Sequence, residues 1–393
     1  MQRYRGPDDP SRTDPDPMEP VWVPNELIVG DASVKQVQEE LKQFGIIATV
    51  DEKAPPLGPF KLLLLKQEGD ASGEDLVEKA MNGLLGKGER GKRSLDGDPL
   101  IVQPNYIHGA PQMRGGVYAV PDQVTMPDLD IGPSAIGEDV KVLVIDTEYC
   151  ASPKITDPTT PFPPPEHPAG SGILAGAAGH CTFVIGQILR VAPGATIMPP
   201  LVALDGMGVG TDTVLLTRLH SIMITGDIPH ILNLSLGYYT IDDDPPLAVS
   251  AALQTLQNEG TVIVAAAGNE DDDRKWYPAA DSDYVVSVGA VVRVSGSWAR
   301  AAYSNYGDWV NFVAQGLNNG PYIEWTQLPQ PYGGWASWGG TSFATPLVVG
   351  QLAALMGGGA MSGAQAVTAL QSGLAAPSGF ANAKVVAPTM LWS

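Results

Sequence analysis

Cysteine is nearly absent from this chain, with two in 393 residues. That rules out a disulfide framework, and a chain of this length can bury enough apolar surface to fold without one. Cations are also scarce: 23 Lys and Arg stand against 43 Asp and Glu, for a formal net charge of −20. Nucleic-acid and anionic-membrane surfaces need clustered Lys and Arg, so the balance argues against both partners. No run reaches the roughly 18 apolar residues of a membrane span. Met1 to Pro20 is rich in Pro, Asp and Arg and lacks the apolar stretch of a secretory signal. The expectation is a cytoplasmic protein, with export by another route left open. Zinc-type Cys/His spacing and EF-hand-like patterns are missing as well, so no metal-ligand set is assigned.

What the chain does contain is a set of short segments in a telling order. Val144-Ile145-Asp146-Thr147 ends an apolar run in a carboxylate, Gly179-His180-Cys181-Thr182 supplies an imidazole, and Gly340-Thr341-Ser342-Phe343-Ala344-Thr345-Pro346 supplies a hydroxyl among small residues. A hydroxyl is a poor nucleophile at neutral pH. It needs an imidazole to take its proton and a buried carboxylate to hold that imidazole in the right tautomer. Alone, Gly-Thr-Ser reads as a helix cap; the upstream partners change that reading.

The order Asp, His, Ser resembles that of subtilisin-like serine proteases, and further segments carry the resemblance. They are Val191-Ala192-Pro193-Gly194, Asn233-Leu234-Ser235-Leu236-Gly237, Ala265-Ala266-Ala267-Gly268-Asn269, Tyr277-Pro278-Ala279 and Tyr303-Ser304-Asn305-Tyr306-Gly307. The similarity runs from about residue 113 to the end. Cys181, Phe183, Glu148 and Gln315 depart from the family's usual residues, and none of them replaces a triad member.

The resemblance implies an α/β fold, a three-layer parallel sheet with helices on both faces. The sequence pattern agrees: short β-rich runs at Val140–Ile145, 196–204, 230–236, 261–267 and 284–291 alternate with helical patterns at 211–224 and 247–259. Ahead of this lies a small α+β unit at 23–112, read as βαββαβ, after an acidic, Pro-rich tail at 1–22 expected to be disordered. Its strands are 26–30, 46–50, 60–65 and 100–107, and its helices 34–44 and 74–85. The unit is similar in order and position to the family's inhibitory propeptide, and Ile101-Val102-Gln103-Pro104-Asn105-Tyr106 resembles its closing stretch. An extended segment of that kind inhibits by adding to an exposed strand edge. Gly86–Asp98 reads as a mobile loop and 149–172 as a stiff Pro-rich excursion.

By resemblance, Ser342 is the nucleophile, His180 the general base and then acid, and Asp146 its orienting carboxylate. Asn269 donates to the oxyanion with the Ser342 N–H, and Pro346 belongs in the first turn of the Ser342 helix. Ser235, Leu236 and Gly237 form one substrate edge, Gly208, Val209 and Gly210 the other. Ala266, Ala267 and Gly268 wall the first specificity pocket, while Trp335 and Trp338 flank the leaving-group side. The acidic run Asp271-Asp272-Asp273 suggests a basic residue at the cut, or equally a solvated loop or Ca²⁺ site. No cofactor is required; a structural Ca²⁺ is allowed. The expected partners are a peptide or protein substrate and the N-terminal unit as inhibitor. The expected function is thus an autoinhibited serine endopeptidase with restricted substrates; the alternative is a catalytically silenced fold kept for binding. Cys150 and Cys181 read as reduced thiols, with a redox switch the minority reading.

Overall fold

A computed structural model describes residues 20–68, 75–85, 94–95, 98–109, 121–126, 134–150, 152, 176–325, 332–388 and 390. The expected tail at 1–22 and the Pro-rich excursion lie almost wholly outside the described residues.

The N-terminal unit follows the βαββαβ order. Strand β1 (Trp22–Gly30) leads through a short 3-10 turn to helix α1 (Val34–Lys42), then β2 (Ile46–Val50), β3 (Phe60–Gln67) and α2 (Leu76–Leu85). Asp75 starts α2 by accepting from the N–H groups of Val77 and Glu78 at 2.9 and 3.1 Å. Where the sequence suggested only a loop, a small ladder of β4 (Ser94–Leu95) and β5 (Asp98–Pro99) forms before the closing strand β6 (Val102–Gly109). The strands pair antiparallel in the spatial order β6-β1-β3-β2. Both helices pack on this sheet through apolar residues at helical spacing, Val37 and Leu41 on α1 and Val77, Met81 and Leu84 on α2.

After a two-residue strand β7 (Asp122–Gln123), the larger unit alternates strands and helices: β8 (Lys141–Asp146), α3 (His180–Val191), β9 (Thr196–Ile197), β10 (Leu201–Val202), β11 (Val209–Thr211), α4 (Asp212–Thr225), β12 (Ile231–Leu234), α5 (Leu247–Asn258), β13 (Val262–Ala266) and β14 (Val285–Val294). Strands β15 (Ser297–Arg300) and β16 (Phe312–Gln315) follow, then a long hairpin of β17 (Leu317–Trp325) and β18 (Tyr332–Gly339). Helix α6 (Thr341–Met356), helix α7 (Gly363–Leu370) and the short β19 (Leu374–Ala375) and β20 (Lys384–Val385) complete the chain. The central strands β8, β12, β13, β14 and β16 pair in parallel.

Period-two alternation distributes these strands between two cores. Leu143, Ile145, Leu232, Leu234, Ile263 and Ala265 join α4 and α5 on one face. Val142, Val144, Ile231, Val262 and Val264 join α3 and α6 on the other. This is the three-layer α/β arrangement. Asp146 continues the parity of Val142 and Val144, so it emerges on the face of α3 and α6. With its 3-10 extension, α6 is long and apolar enough to cross a membrane by composition, but it is mostly buried in this core.

Candidate active site

Asp146, His180 and Ser342 each sit at the end of a regular element. Asp146 is the last residue of β8, where ligands gather in open α/β sheets. His180 is the first residue of α3, after Gly179 at φ 74°. That glycine is required: a Cβ there would stand 2.6 Å from Tyr322 Cε2. The His180 Nδ1 lies 2.6 Å from Asp146 Oδ1, and both side chains are fully buried. The same Oδ1 accepts the Thr147 N–H at 2.6 Å, while Asp146 Oδ2 and His180 Nε2 have no hydrogen-bond partner among the described residues. Because a carboxylate only accepts, Nδ1 is the donor in this contact; in the neutral ring the lone pair then falls on Nε2.

Ser342 is the second residue of α6, and the next residue, Phe343, places its ring 5.2 Å from the His180 ring. Pro346, expected in the first turn, is the sixth residue of this helix. It has no N–H for the Ser342 carbonyl four residues back, and the Ser235 hydroxyl donates there instead, at 3.1 Å. Ser235 Oγ in turn accepts from Asn233 Nδ2 at 3.1 Å. Ser235 thus lies beneath the nucleophile segment.

Asn269 follows β13 and Gly268. Its Oδ1 accepts from the Thr341 N–H at 2.9 Å and the Thr341 hydroxyl at 3.0 Å. Those two donors fix the amide's orientation, leaving Nδ2 buried beside Gly340 without a partner among the described residues. Gly268, at φ 102°, gives its N–H to Thr341 Oγ1 at 3.2 Å. Ala266 and Ala267 are buried at the end of the same strand.

The two expected substrate edges are occupied by the chain itself. Strand β6 reaches out of the N-terminal unit and pairs antiparallel with β11, matching Val209 to Gly109, Gly210 to His108 and Thr211 to Ile107. On its other side Gly109 exchanges both backbone hydrogen bonds with Gly237, at 3.2 and 3.1 Å. Gly208 makes the turn before β11, its N–H donating to the Asp205 carbonyl at 2.9 Å. Gly237 must lack a side chain, since a Cβ there would fall 2.0 Å from Trp276 Nε1. Leu236 is buried in the core beneath.

Side chains that sequence reasoning missed hold β6 in place. Gln103 Nε2 donates to Asp212 Oδ2 at 2.7 Å, and Gln103 Oε1 accepts the Ala248 N–H at 2.6 Å. Asn105 Oδ1 accepts the Thr213 N–H at 3.0 Å. Tyr238 stacks with both Tyr106 and His108 of β6, at 5.2 and 5.4 Å between centroids. Burial pushes the Asp212 carboxyl up to about 8, against hydrogen bonding that favours its ionised form.

The acidic run is engaged locally: Asp271 pairs with Arg300 at 2.5 Å, and Asp272 Oδ1 accepts the Asp273 N–H at 2.7 Å. Among the described residues no cluster of His, Cys, Asp or Glu suits a metal ion. Cys150 and Cys181 are free and buried. Burial raises both thiols, and the charge of Asp146 raises Cys181 further.

The chain resembles known proteins in sequence and in fold. The family model of peptidase S8, described as the subtilase family, matches residues 168–371. Asp146 lies ahead of that span, so its place in the site rests on the 2.6 Å contact with His180. A thermophilic serine proteinase of Bacillus sp. (strain AK1) is 27% identical over 72% of this chain and 70% of its own length. Subtilisin Savinase of Lederbergia lenta is 31% identical over 55% of this chain and 76% of its own. Subtilisin-like protease 1 of Pseudogymnoascus destructans is 31% identical over 48% of this chain, which spans only 45% of that relative's length. The crystal structure of fervidolysin from Fervidobacterium pennivorans, a keratinolytic enzyme related to subtilisin, has the same fold, with a TM-score of 0.57 at 19% identity, covering 89% of this chain and 57% of that one. Because the family's model spans just over half of the sequence and takes in the segments around His180, Asn269 and Ser342, the chain belongs to the subtilase family.

Proposed function

We propose that this chain is a serine endopeptidase whose N-terminal unit, residues 23–112, blocks its own cleft. One observation carries the reading: β6 lies between β11 and Gly237 as a peptide would, beside a buried His180–Asp146 pair. Strand addition supplies main-chain hydrogen bonds to any sequence, which suits both a substrate and an inhibitor.

In this reading Ser342 Oγ attacks the scissile carbonyl as His180 Nε2 takes its proton. Asp146 holds Nδ1–H and stabilises the imidazolium. The tetrahedral oxyanion receives Asn269 Nδ2–H and the Ser342 backbone N–H, at the positive end of α6. His180 then protonates the leaving amine, and water repeats the sequence on the acyl-enzyme. The chemistry needs no cofactor; a structural Ca²⁺ stays compatible with it, on residues not assigned here.

The unit must leave or be cut for substrate to enter, and self-cleavage would fall between about His108 and Gly116. Residues 110–120 lie outside the described set. The test is to incubate the purified chain, and the same chain with Ser342→Ala, with a proteome-derived peptide library and read the new termini by mass spectrometry. The expected result is cleavage by the first and none by the second. Cleavage by neither, even after residues 1–112 are removed, would favour a catalytically silent binding role.

A further inference from the structure

The surroundings of His180 contain an arrangement that the proton relay does not use. Apart from the Asp146 contact, two aromatic side chains meet the ring. Phe343 lies 5.2 Å away at 52°, and Trp338 lies 5.6 Å away at 87°. Trp338 and Phe343 are 4.9 Å apart, and Phe183, one turn along α3 from His180, meets both at 5.7 and 4.7 Å. Tyr322 closes the group, 5.7 Å from Trp338, and its hydroxyl donates to the Ala178 carbonyl at 2.6 Å, two residues ahead of His180. The rings come from three separate elements: α3, the β17–β18 hairpin and α6. All five are fully buried.

This has a physical consequence for a histidine that must become a cation. Water cannot solvate an imidazolium at a fully buried position, and Asp146 reaches only its Nδ1 end. The faces of aromatic rings attract cations through their quadrupoles, whereas an aliphatic side chain of similar size would desolvate the ring and offer nothing in return. The rings also restrict rotation about the His180 Cβ–Cγ bond, the motion that would move Nε2. Small misplacements of reacting groups are costly, about 10²-fold for 1 Å.

We propose that Trp338, supported by Phe343, is a positioning residue that fixes the His180 ring and stabilises its cationic form during turnover. This rests on the reading of His180 as the general base. The titratable groups around the ring are Asp146 on β8, the Cys181 thiol on α3, Tyr322 on β17, and Cys150 with Glu148 beyond Asp146.

The experiment compares the full chain with Trp338→Leu, which keeps apolar bulk without a π face, and Trp338→Phe, which keeps the face. Peptide hydrolysis is followed against pH. In parallel, the His180 ring nitrogens are titrated by ¹⁵N NMR in the Ser342→Ala background. For Trp338→Leu we expect kcat to fall about 10-fold with KM nearly unchanged, and the acid limb of kcat/KM and the ¹⁵N midpoint to move down by about half a pH unit. Trp338→Phe should restore both. Unshifted limb and midpoint in Trp338→Leu overturn the proposal, even if kcat drops, because packing alone then explains the loss. A Trp338→Phe chain as impaired as Trp338→Leu overturns it too. If Trp338→Leu does not fold, Phe343→Leu is read by the same criteria. Should no chain cleave peptide, the endopeptidase reading fails separately, and the ¹⁵N titration still decides whether the rings favour the imidazolium.

Discussion

Two pairs of helix starts in the larger unit take their side-chain acceptors from different places. Helices α3 and α6 begin after glycines, Gly179 and Gly340, and are capped from within the larger unit: Thr147 Oγ1 accepts the Cys181 N–H at 3.3 Å and Asn269 Oδ1 the Thr341 N–H at 2.9 Å. Helices α4 and α5 are capped by the other unit: Asn105 Oδ1 takes the Thr213 N–H and Gln103 Oε1 takes the Ala248 N–H. The pair capped from within carries His180 and Ser342, and the pair capped from the N-terminal unit carries the interface. The contrast separates the part of the molecule proposed to act on charge developing in a reaction from the part that holds a strand by neutral amides.

The sharpest way to break the His180–Ser342 side is Asp146→Asn. An amide in that place favours the wrong His180 tautomer, and kcat should fall by about 10⁴-fold with the fold intact, as checked by single-turnover kinetics and circular dichroism. Asn269→Ala removes one oxyanion donor and should lower kcat by about 10²–10³-fold with KM little changed. A KM effect larger than the kcat effect would assign Asn269 to substrate binding instead.

On the interface side, Gln103→Ala and Asn105→Ala should each loosen the N-terminal unit by about 1 kcal/mol, the usual worth of a helix cap. The measurement is the denaturation midpoint of the Ser342→Ala chain, with the catalytic unit's own unfolding as internal reference.

Asp212 makes this side sensitive to pH. Its carboxyl stays protonated when buried, up to about 8, whereas in water it ionises near an ordinary value of about 3.9. Docking or folding therefore takes up a proton. The stability this contributes is present at acid pH, declines as pH rises from the carboxylate range toward 8, and is flat above that. Asp212→Asn in the Ser342→Ala chain should remove this slope, as read from melting temperatures between pH 5 and 9. The smallest expected effect concerns the thiols. Buried and held protonated, Cys150 and Cys181 should resist alkylation in the native state, and hydrolysis should be the same with and without reductant.

Much of the His180–Ser342 side was legible in the sequence because its signals are local. An apolar run ending in Asp146, a glycine before His180 and the small residues around Ser342 each mark the end of an element, and the structure puts each residue there. The interface side was less legible. That β6 would pair with both Val209–Thr211 and Gly237 depends on contacts about a hundred residues apart, and no local pattern reports them. Asp212 opens α4, and its contact with Gln103 of the docked strand joins residues about a hundred positions apart. Phe183 read only as a departure from the family's usual residues until α3, the β17–β18 hairpin and α6 were brought together around His180. The acidic run at 271–273 offered a substrate preference, yet Arg300 and local backbone N–H groups already engage it.

The most direct test of the central claim is covalent labelling of the purified chain with a serine-reactive fluorophosphonate, read by peptide mass spectrometry after removal of residues 1–112. The account predicts one adduct, on Ser342, lost in His180→Ala and strongly slowed in Asp146→Asn. An unlabelled Ser342, or labelling at the same rate without His180, would contradict it.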